Sequence, residues 1–200
     1  MTSVDQLTLT QIRQRLQVDN EITQDVPVEW SDQDCRQAGV LIPFIREHDQ
    51  WKILFIRRAD NELDHHSGQV AFAGGKFEPG DDDLQQTALR EAHEEIGLDP
   101  QHVEVLGQLN YHYSITRFQI TPVVGHVTWP YRFKPDETEV ARIFSIPLSW
   151  LANTENYRLQ QRQLKGGNVP VVYFDEYDGE LLWGATARMT LSLLSCLKDE

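Results

Sequence analysis

The chain has 200 residues, of which 40% are hydrophobic, and it carries a formal net charge of -13 at pH 7. This length suffices for one compact domain with a sizeable core, so we expect residues 1–35, a helix and a connection, to belong to the same domain as residues 36–200. The acidic charge argues against nonspecific binding of nucleic acid, because that binding is driven by Lys and Arg side chains on phosphates.

The N-terminus and the cysteines indicate a cellular compartment. The first residues lack the apolar run of a signal peptide, and no stretch is long enough to span a bilayer. Cys35 and Cys196 have no metal-ligand spacing and could form one disulfide at most. We therefore expect a cytoplasmic protein with free thiols and no membrane partner.

The first predicted element is a short amphipathic helix at about residues 8–18. Leu9, Ile12 and Leu16 recur at near-helical spacing, and Thr8 can cap the helix N-terminus. We expect this helix to cover the periphery of the domain.

The strands and the closing helix are predicted from apolar runs and turn signals. Residues 38–46 and 51–57 are apolar runs separated by a polar stretch, and they predict paired strands. Asp178-Gly179 is a strong signal for a two-residue hairpin. Further strands are predicted at residues 103–113, 118–128, 140–146, 171–177 and 180–183. A flexible loop is predicted at residues 165–168, and a closing helix at residues 185–197. These elements predict an α/β (α+β) fold, with a mixed β-sheet sandwiched between helices.

Three glutamates in residues 74–98 carry the clearest chemical signal. Glu91, Glu94 and Glu95 lie three and four residues apart on a predicted helix, so their carboxylates project toward one small volume. Because like charges that close repel, the arrangement indicates a hard divalent cation, Mg²⁺ or Mn²⁺, which prefers oxygen ligands. A cation there would also let an acidic chain accept an anionic substrate.

The ends of this helix are also predicted from the sequence. The acidic residues at its start are typical of a helix N-terminus, and we expect them to be solvated; they are Asp81, Asp82 and Asp83. Gly97 suits the left-handed position that ends a helix. An adjacent arc would pack the helix on a sheet, and its residues are Ala88, Leu89, Ala92 and Ile96.

This segment resembles the Nudix box, the signature of enzymes that hydrolyse a nucleoside diphosphate linked to another group. The matching residues are Gly75, Arg90, Glu91, Ala92, Glu94, Glu95, Gly97 and Leu98. The stretch between Gly75 and Arg90 is one residue longer than the commonest form of the box, and Asp81 stands where Glu is usual. The resemblance implies a Nudix fold, a small-molecule nucleotide substrate and metal-dependent hydrolysis.

A second resemblance lies upstream, to the Nudix enzymes that cleave coenzyme A. The residues that match their motif are Arg58, Ala59, Gly68, Phe72, Gly74 and Gly75. Ile56 replaces Thr, Ala73 replaces Pro, and Asp64 stands where the motif has a spaced Arg. The resemblance implies cleavage of coenzyme A to 3′,5′-ADP and 4′-phosphopantetheine. The alternatives are ADP-ribose, a nucleotide sugar or a dinucleotide, because an aspartate in place of the arginine would repel a phosphate.

The resemblance assigns roles to individual residues. Glu91 and Glu95 are the expected metal ligands, and Glu94 is expected to bind metal and to act in catalysis. Arg90 is expected to hold these carboxylates in place. The expected substrate contacts are Arg58, Gly74 and Gly75.

The general base is expected outside the box, just before the predicted strand at residues 140–146. Glu139 is the first candidate and Glu137 the second, and the alternative is a solvated acidic turn. A rival from another functional class is a catalytically silent Nudix domain that senses a nucleotide, but such a module would be expected to lose the box glutamates that this chain keeps. The sequence leaves open whether the protein is a monomer or a homodimer.

Overall fold

The structure is a computed structural model that describes residues 4–17, 35–60, 67–164 and 167–198. Its helices and strands are α1 Leu9–Leu16, β1 Arg36–Glu47, β2 Gln50–Arg58, β3 Val70–Ala71, β4 Gly74–Lys76, α2 Leu84–Ile96, β5 Val103–Gln108, β6 His112–Tyr113, β7 Phe118–Val127, β8 Val140–Pro147, α3 Leu148–Ala152, β9 Tyr157–Leu164, β10 Gly167–Phe174 and α4 Gly184–Leu197. Asp64 and most of the predicted N-terminal connection lie outside the described residues.

The main sheet has the strand order β3-β2-β1-β7-β5. Three further strands join it: β4 pairs with β1, β6 pairs with β7, and β8 pairs with β2. Strands β1 and β7 run parallel, whereas β1 and β2 form an antiparallel hairpin. His48 and Asp49 have positive φ at the turn of this hairpin, as a tight two-residue connection requires. The sheet is therefore mixed, and the predicted fold class is confirmed.

Side chains alternate along β1 between two hydrophobic clusters. Ile42 and Phe44 face a cluster that includes residues of α1, α3 and α4, whereas Leu41 and Ile45 face a cluster that includes residues of α2. The sheet is thus covered by helices on both faces. None of the helices in the described part of the chain is long and apolar enough to cross a membrane.

Helix α1 begins as the sequence predicts. Thr8 is its N-cap and forms a capping box with Gln11, while Ile12 and Leu16 are buried. The indole nitrogen of Trp51 donates a hydrogen bond to the carbonyl of Leu7 at 2.8 Å, which ties the segment before α1 to the sheet. Both cysteines, Cys35 and Cys196, are free thiols.

Helix α2 lies close against β1 because β1 has a glycine at the crossing point. A Cβ atom on Gly39 would lie 2.3 Å from the carbonyl oxygen of Leu84. Asp83 caps the N-terminus through a hydrogen bond from the backbone of Gln86, and Gly97 ends the helix with a φ of 65°. The helix therefore reaches the sheet closely enough for its carboxylates to meet the backbone of β4.

The C-terminal strands differ from the prediction. Strand β10 pairs along its full length with β9, a polar strand that the sequence pattern does not predict. The predicted hairpin around Asp178-Gly179 is reduced to a turn with positive φ at both residues, flanked by isolated bridges. Part of the predicted loop at residues 165–168 is wrong, since Gly167 and Asn168 lie in β10; residues 165 and 166 lie outside the described part.

The predicted strand at residues 103–113 is interrupted. Strand β5 ends at Gln108 and β6 begins at His112, and both pair with β7. The β5–β7 register shifts between Val105 and Gly107, which is typical of a bulge that bends a strand.

Candidate active site

The carboxylate face of α2 packs against the two glycines of β4. The backbone N–H of Gly74 donates to Glu95 Oε2 at 3.0 Å. A Cβ atom on Gly75 would lie 2.4 Å from the carboxylate carbon of Glu91, closer than real Cβ contacts. Two successive glycines therefore allow the β4 backbone to approach two carboxylates of α2 directly.

Glu95 is the most buried of the three box glutamates, with 3% exposure. Arg58 lies beside it, with its Nη1 atom 3.7 Å from Glu95 Oε1. Burial raises the pKa of Glu95 to about 7, although the Gly74 N–H and the Arg58 charge act in the opposite direction. A cation close to this carboxylate would favour its charged form and lower its pKa again.

Glu91 is partly buried beside Glu95. Burial raises its pKa, while the Arg90 guanidinium lowers it and the charges of Glu94 and Glu139 raise it. Arg90 Nη1 donates to Glu91 Oε1 at 3.0 Å. The carboxylate of Glu91 thus lies between the Gly75 backbone and the Arg90 side chain.

Arg90 connects the helix to the acidic loop that precedes it. Its Nε and Nη2 atoms donate to Asp81 at 2.9 and 3.1 Å, and Nη2 also donates to the carbonyl of Lys76 at 3.0 Å. Its Nη1 atom donates to Glu91 and to Glu94, both at 3.0 Å. All three nitrogens of the guanidinium are therefore engaged, so Arg90 links Glu91 and Glu94 to the loop.

The prediction of a solvated Asp81 is wrong. Asp81 is 9% exposed and accepts hydrogen bonds from Arg90, from the Thr87 hydroxyl at 2.8 Å and from the Glu78 N–H at 3.0 Å. Hydrogen bonding from Arg90 lowers the pKa of Asp81 to about 2. The sequence rules for helix N-termini do not predict this ion pair. Asp81 and Arg90 are nine residues apart, and they meet only because the loop before α2 folds back against the helix.

The structure separates the three box carboxylates more than the helical spacing predicts. The Glu94 side chain is 57% exposed and turns toward Arg90, whereas Glu95 turns toward the Gly74 N–H. Glu91 and Glu94 both accept hydrogen bonds from Arg90, so only the Glu95 carboxylate takes its donor from β4. Within the described residues, no three His, Cys, Asp or Glu side chains are grouped closely enough to hold a metal ion.

Glu139 lies in the turn that precedes β8, and this turn reaches the carboxylate face. Its backbone carbonyl accepts a hydrogen bond from the N–H of Ala59 at 2.8 Å, next to Arg58. The negative charge of Glu139 raises the pKa values of both Glu91 and Glu95. Glu137 lies two residues earlier on the same exposed turn, in which the carboxylate of Asp136 accepts hydrogen bonds from Thr138.

The donors at this face are of the chemical type that a hard divalent cation prefers, although their side chains are not gathered around one point. Glu91 and Glu95 contribute carboxylate oxygens beside the backbone of Gly74-Gly75, and Glu139 adds a third negative charge from another element. Oxygen ligands are those that Mg²⁺ and Mn²⁺ prefer. Burial is the main cause of the raised pKa values of Glu91 and Glu95, and a cation would offset both the burial of their charge and the smaller repulsion from neighbouring carboxylates. The residues that could hold such an ion are therefore Glu91 and Glu95, with Glu94 at the exposed edge.

Comparisons with known proteins bear on the family and the fold of this chain. The family model described as the NUDIX domain matches residues 36–166. Proteins named Nudix hydrolase NudL match most of the chain: the one from Pectobacterium atrosepticum is 41% identical over 82% of this chain and 84% of its own length, and the one from Enterobacter sp. is 40% identical over 79% and 81%. The solved Nudix hydrolase RenU of M. smegmatis has a TM-score of 0.50 and 21% identity, and it covers 59% of this chain and 74% of its own chain.

Proposed function

This chain belongs to the Nudix hydrolases, and we propose that it uses Mg²⁺ or Mn²⁺ to hydrolyse coenzyme A at its diphosphate. The products would be 3′,5′-ADP and 4′-phosphopantetheine. The observation that carries the metal-dependent reaction is the close approach of the Glu91 and Glu95 carboxylates to the Gly74-Gly75 backbone, within reach of the Glu139 charge.

In this proposal the box glutamates hold the cation and the neighbouring groups hold the substrate. A divalent cation would neutralise charge on the diphosphate oxygens. Glu91 and Glu95 would bind it, Glu94 would complete the acidic face, and Arg90 would fix Glu91 and Glu94 in orientation. Arg58 would contact a phosphate through its guanidinium, and the Gly74-Gly75 backbone would let the cation or phosphate oxygens come close because it carries no side chain.

Glu139 is the proposed general base. It would accept a proton from the attacking water as the water oxygen bonds to phosphorus and the bridging oxygen leaves. Its position on a different element from α2 suits this role, because the base then approaches the substrate from beside the metal ligands rather than from among them. Glu137 remains the second candidate, since it lies on the same turn.

Coenzyme A is proposed because of the upstream motif. The chain has several of the residues that distinguish the enzymes that cleave coenzyme A, namely Arg58, Gly68, Phe72 and the Gly74-Gly75 pair. One observation favours a different nucleoside diphosphate derivative, such as ADP-ribose, a nucleotide sugar or a dinucleotide. Asp64 occupies the position of the motif's spaced arginine and would repel a phosphate that the arginine would bind.

The test is a panel of diphosphate substrates with purified protein. Coenzyme A, ADP-ribose, a nucleotide sugar and a dinucleotide are incubated with Mg²⁺, with Mn²⁺ or with EDTA, and products are identified by chromatography and mass spectrometry. We expect coenzyme A to yield 3′,5′-ADP in the presence of metal and no product in EDTA. Rapid loss of ADP-ribose beside intact coenzyme A would refute the substrate while keeping the family reaction.

The metal ligands are tested with Glu95→Gln. This variant keeps the shape of the side chain and removes one anionic ligand, so turnover should fall by orders of magnitude and the metal concentration for half-maximal activity should rise. Asp82→Asn is the matched control, because it removes one exposed negative charge near the start of the same helix. Near wild-type rates for Glu95→Gln on the best substrate would refute the proposed metal site.

A further inference from the structure

A cavity lies at the C-terminal end of α2, outside the carboxylate face just described. It has a volume of about 620 Å³ and is bordered by the end of α2 and by the segments that follow β7 and precede β5. His93 points into it from α2. Because His93 is two residues from both Glu91 and Glu95, helical geometry puts it on the opposite face from those carboxylates.

The lining of this cavity is rich in potential cations, although the protein as a whole is strongly acidic. Arg132 and Lys134 line it together with His93 and His102. In the described part of the chain, neither Arg132 nor Lys134 forms an ion pair or a side-chain hydrogen bond. Many other arginines are paired; for example, Arg13, Arg90, Arg142 and Arg158 each contact a carboxylate.

The ordinary explanation for cations at a helix C-terminus is that they bind its last carbonyl groups. Here those carbonyls already have other donors. The N–H groups of Lys134 and Asp136 donate to Ile96 and Glu95, and the Tyr131 hydroxyl donates to Gly97 at 2.8 Å. The charged ends of Arg132 and Lys134 are therefore available to a ligand.

The remaining lining sets the size and chemistry of that ligand. The Asp99 carboxylate accepts the N–H of Gln101 at 2.9 Å, so the acid of the lining is held by its own local turn. The Tyr131 ring contacts the His102 ring with centroids 5.2 Å apart and forms a rigid aromatic wall. A volume of this size is in the range of small-molecule sites, about 300–1,000 Å³.

We propose that this cavity binds a phosphate monoester of mononucleotide size. The guanidinium of Arg132 would bind phosphate oxygens in a fork, Lys134 would add a point charge, and the Tyr131 side would contact the rest of the ligand. The site is separate from the proposed hydrolytic face and does not depend on the identity of the substrate hydrolysed there.

The experiment is calorimetric titration of the metal-free protein with AMP in EDTA. We expect saturable binding that is weakened about tenfold for each lost cation, hence about 100-fold in the double variant Arg132→Ala with Lys134→Ala. Both side chains are exposed, and the thermal midpoint of the double variant is measured to confirm that it folds. The matched control is Arg117→Ala with Lys198→Ala, which removes two exposed cations elsewhere and should bind like the wild type.

Two further arms locate the ligand. Arg58→Ala should leave AMP affinity unchanged, and the His93 and His102 ring protons, assigned from His93→Gln and His102→Gln spectra, should shift during an NMR titration. Loss of binding in Arg58→Ala, equal weakening in the control pair, or no saturable binding by the wild type would each overturn the proposal. Equal affinity for inorganic phosphate would overturn the mononucleotide part of it.

Discussion

Gly75→Ala is the substitution that tests the geometry of the candidate active site most directly. The new Cβ atom would lie 2.4 Å from the Cδ and Oε1 atoms of Glu91 and 2.6 Å from Oε2. Gly75 does not have a left-handed φ, so alanine adds no backbone strain there. The atoms that must move belong to the end of a flexible side chain, so the fold can adapt by displacing the Glu91 carboxylate.

The size of that displacement sets the expected loss of activity. Ordinary van der Waals contact begins at 3.4 Å, so the carboxylate must move by about 1 Å from its present distance of 2.4 Å. A misplacement of about 1 Å at a reacting centre can cost about 100-fold in rate, or about 2.7 kcal/mol of transition-state stabilisation. We therefore expect kcat/KM to fall about 100-fold while the thermal midpoint changes little.

Two other glycines provide matched controls for the same chemical change. Gly80 lies on the loop before α2, with nothing within 4 Å of an added Cβ, so Gly80→Ala should retain both activity and stability. In Gly39→Ala the new Cβ atom would instead lie 2.3 Å from the backbone carbonyl oxygen of Leu84 in α2. Because backbone must move to relieve this contact, the free energy of unfolding should fall by about 1–3 kcal/mol or more.

The assay combines steady-state hydrolysis of the best substrate with urea unfolding of all three variants. Wild-type kcat/KM for Gly75→Ala would refute the idea that Glu91 must lie against the β4 backbone. A loss of stability in Gly75→Ala as large as that of Gly39→Ala would show that the Glu91 side chain cannot move aside, and it would refute the separation of activity from stability.

Three further predictions concern the base, the loop and acid stability. Glu139→Gln should lower turnover by about 10²- to 10⁴-fold with little change in metal affinity, and Glu137→Gln should be nearly silent; the reverse result in kinetic assays would move the base to Glu137. Asp81→Asn should destabilise the protein by about 2 kcal/mol in urea unfolding, because it leaves Arg90 without its main charged partner, and an unchanged midpoint would contradict that pairing. Burial lowers the pKa of His112 from 6.5 to about 4, so the unfolded chain binds the proton first and stability should be lost as the pH falls from about 6.5 to about 4. The loss should be at most about 3 kcal/mol, and unfolding measured at pH 7 and 4.5 should show a smaller pH dependence in His112→Gln; an equal dependence in both proteins would contradict the assignment.

The sequence predicts the elements that carry strong local signals. The helix α2 has an acidic cap, an apolar arc of period 3.6 and a terminal glycine, and its limits follow from Asp83 and Gly97. The hairpin of β1 and β2 follows from two apolar runs around a short polar turn. In both cases residues near one another in sequence determine the structure, so a local pattern is sufficient.

The pairing of β9 with β10 could not be predicted in the same way. Strand β9 reads Tyr-Arg-Leu-Gln-Gln-Arg-Gln-Leu, which lacks the alternation of apolar and polar residues expected of a half-buried strand. Strand β10 is apolar, and the nearby Asp178-Gly179 turn offers a local partner on its other side. The longer β9 ladder is formed instead, and the local turn retains only isolated bridges.

The candidate site shows the same limit at the level of side chains. Helical spacing predicts that Glu91, Glu94 and Glu95 share one face, but it does not say which donor each carboxylate meets, because a glutamate side chain has three rotatable bonds. The tertiary contacts decide: side-chain exposure rises from 3% at Glu95 to 17% at Glu91 and 57% at Glu94. The free-energy cost of burying a charge is therefore largest at Glu95, the residue whose pKa is raised to about 7. A cation bound at this face would offset that cost, so its interaction with the Glu95 carboxylate would be the most favourable of the three.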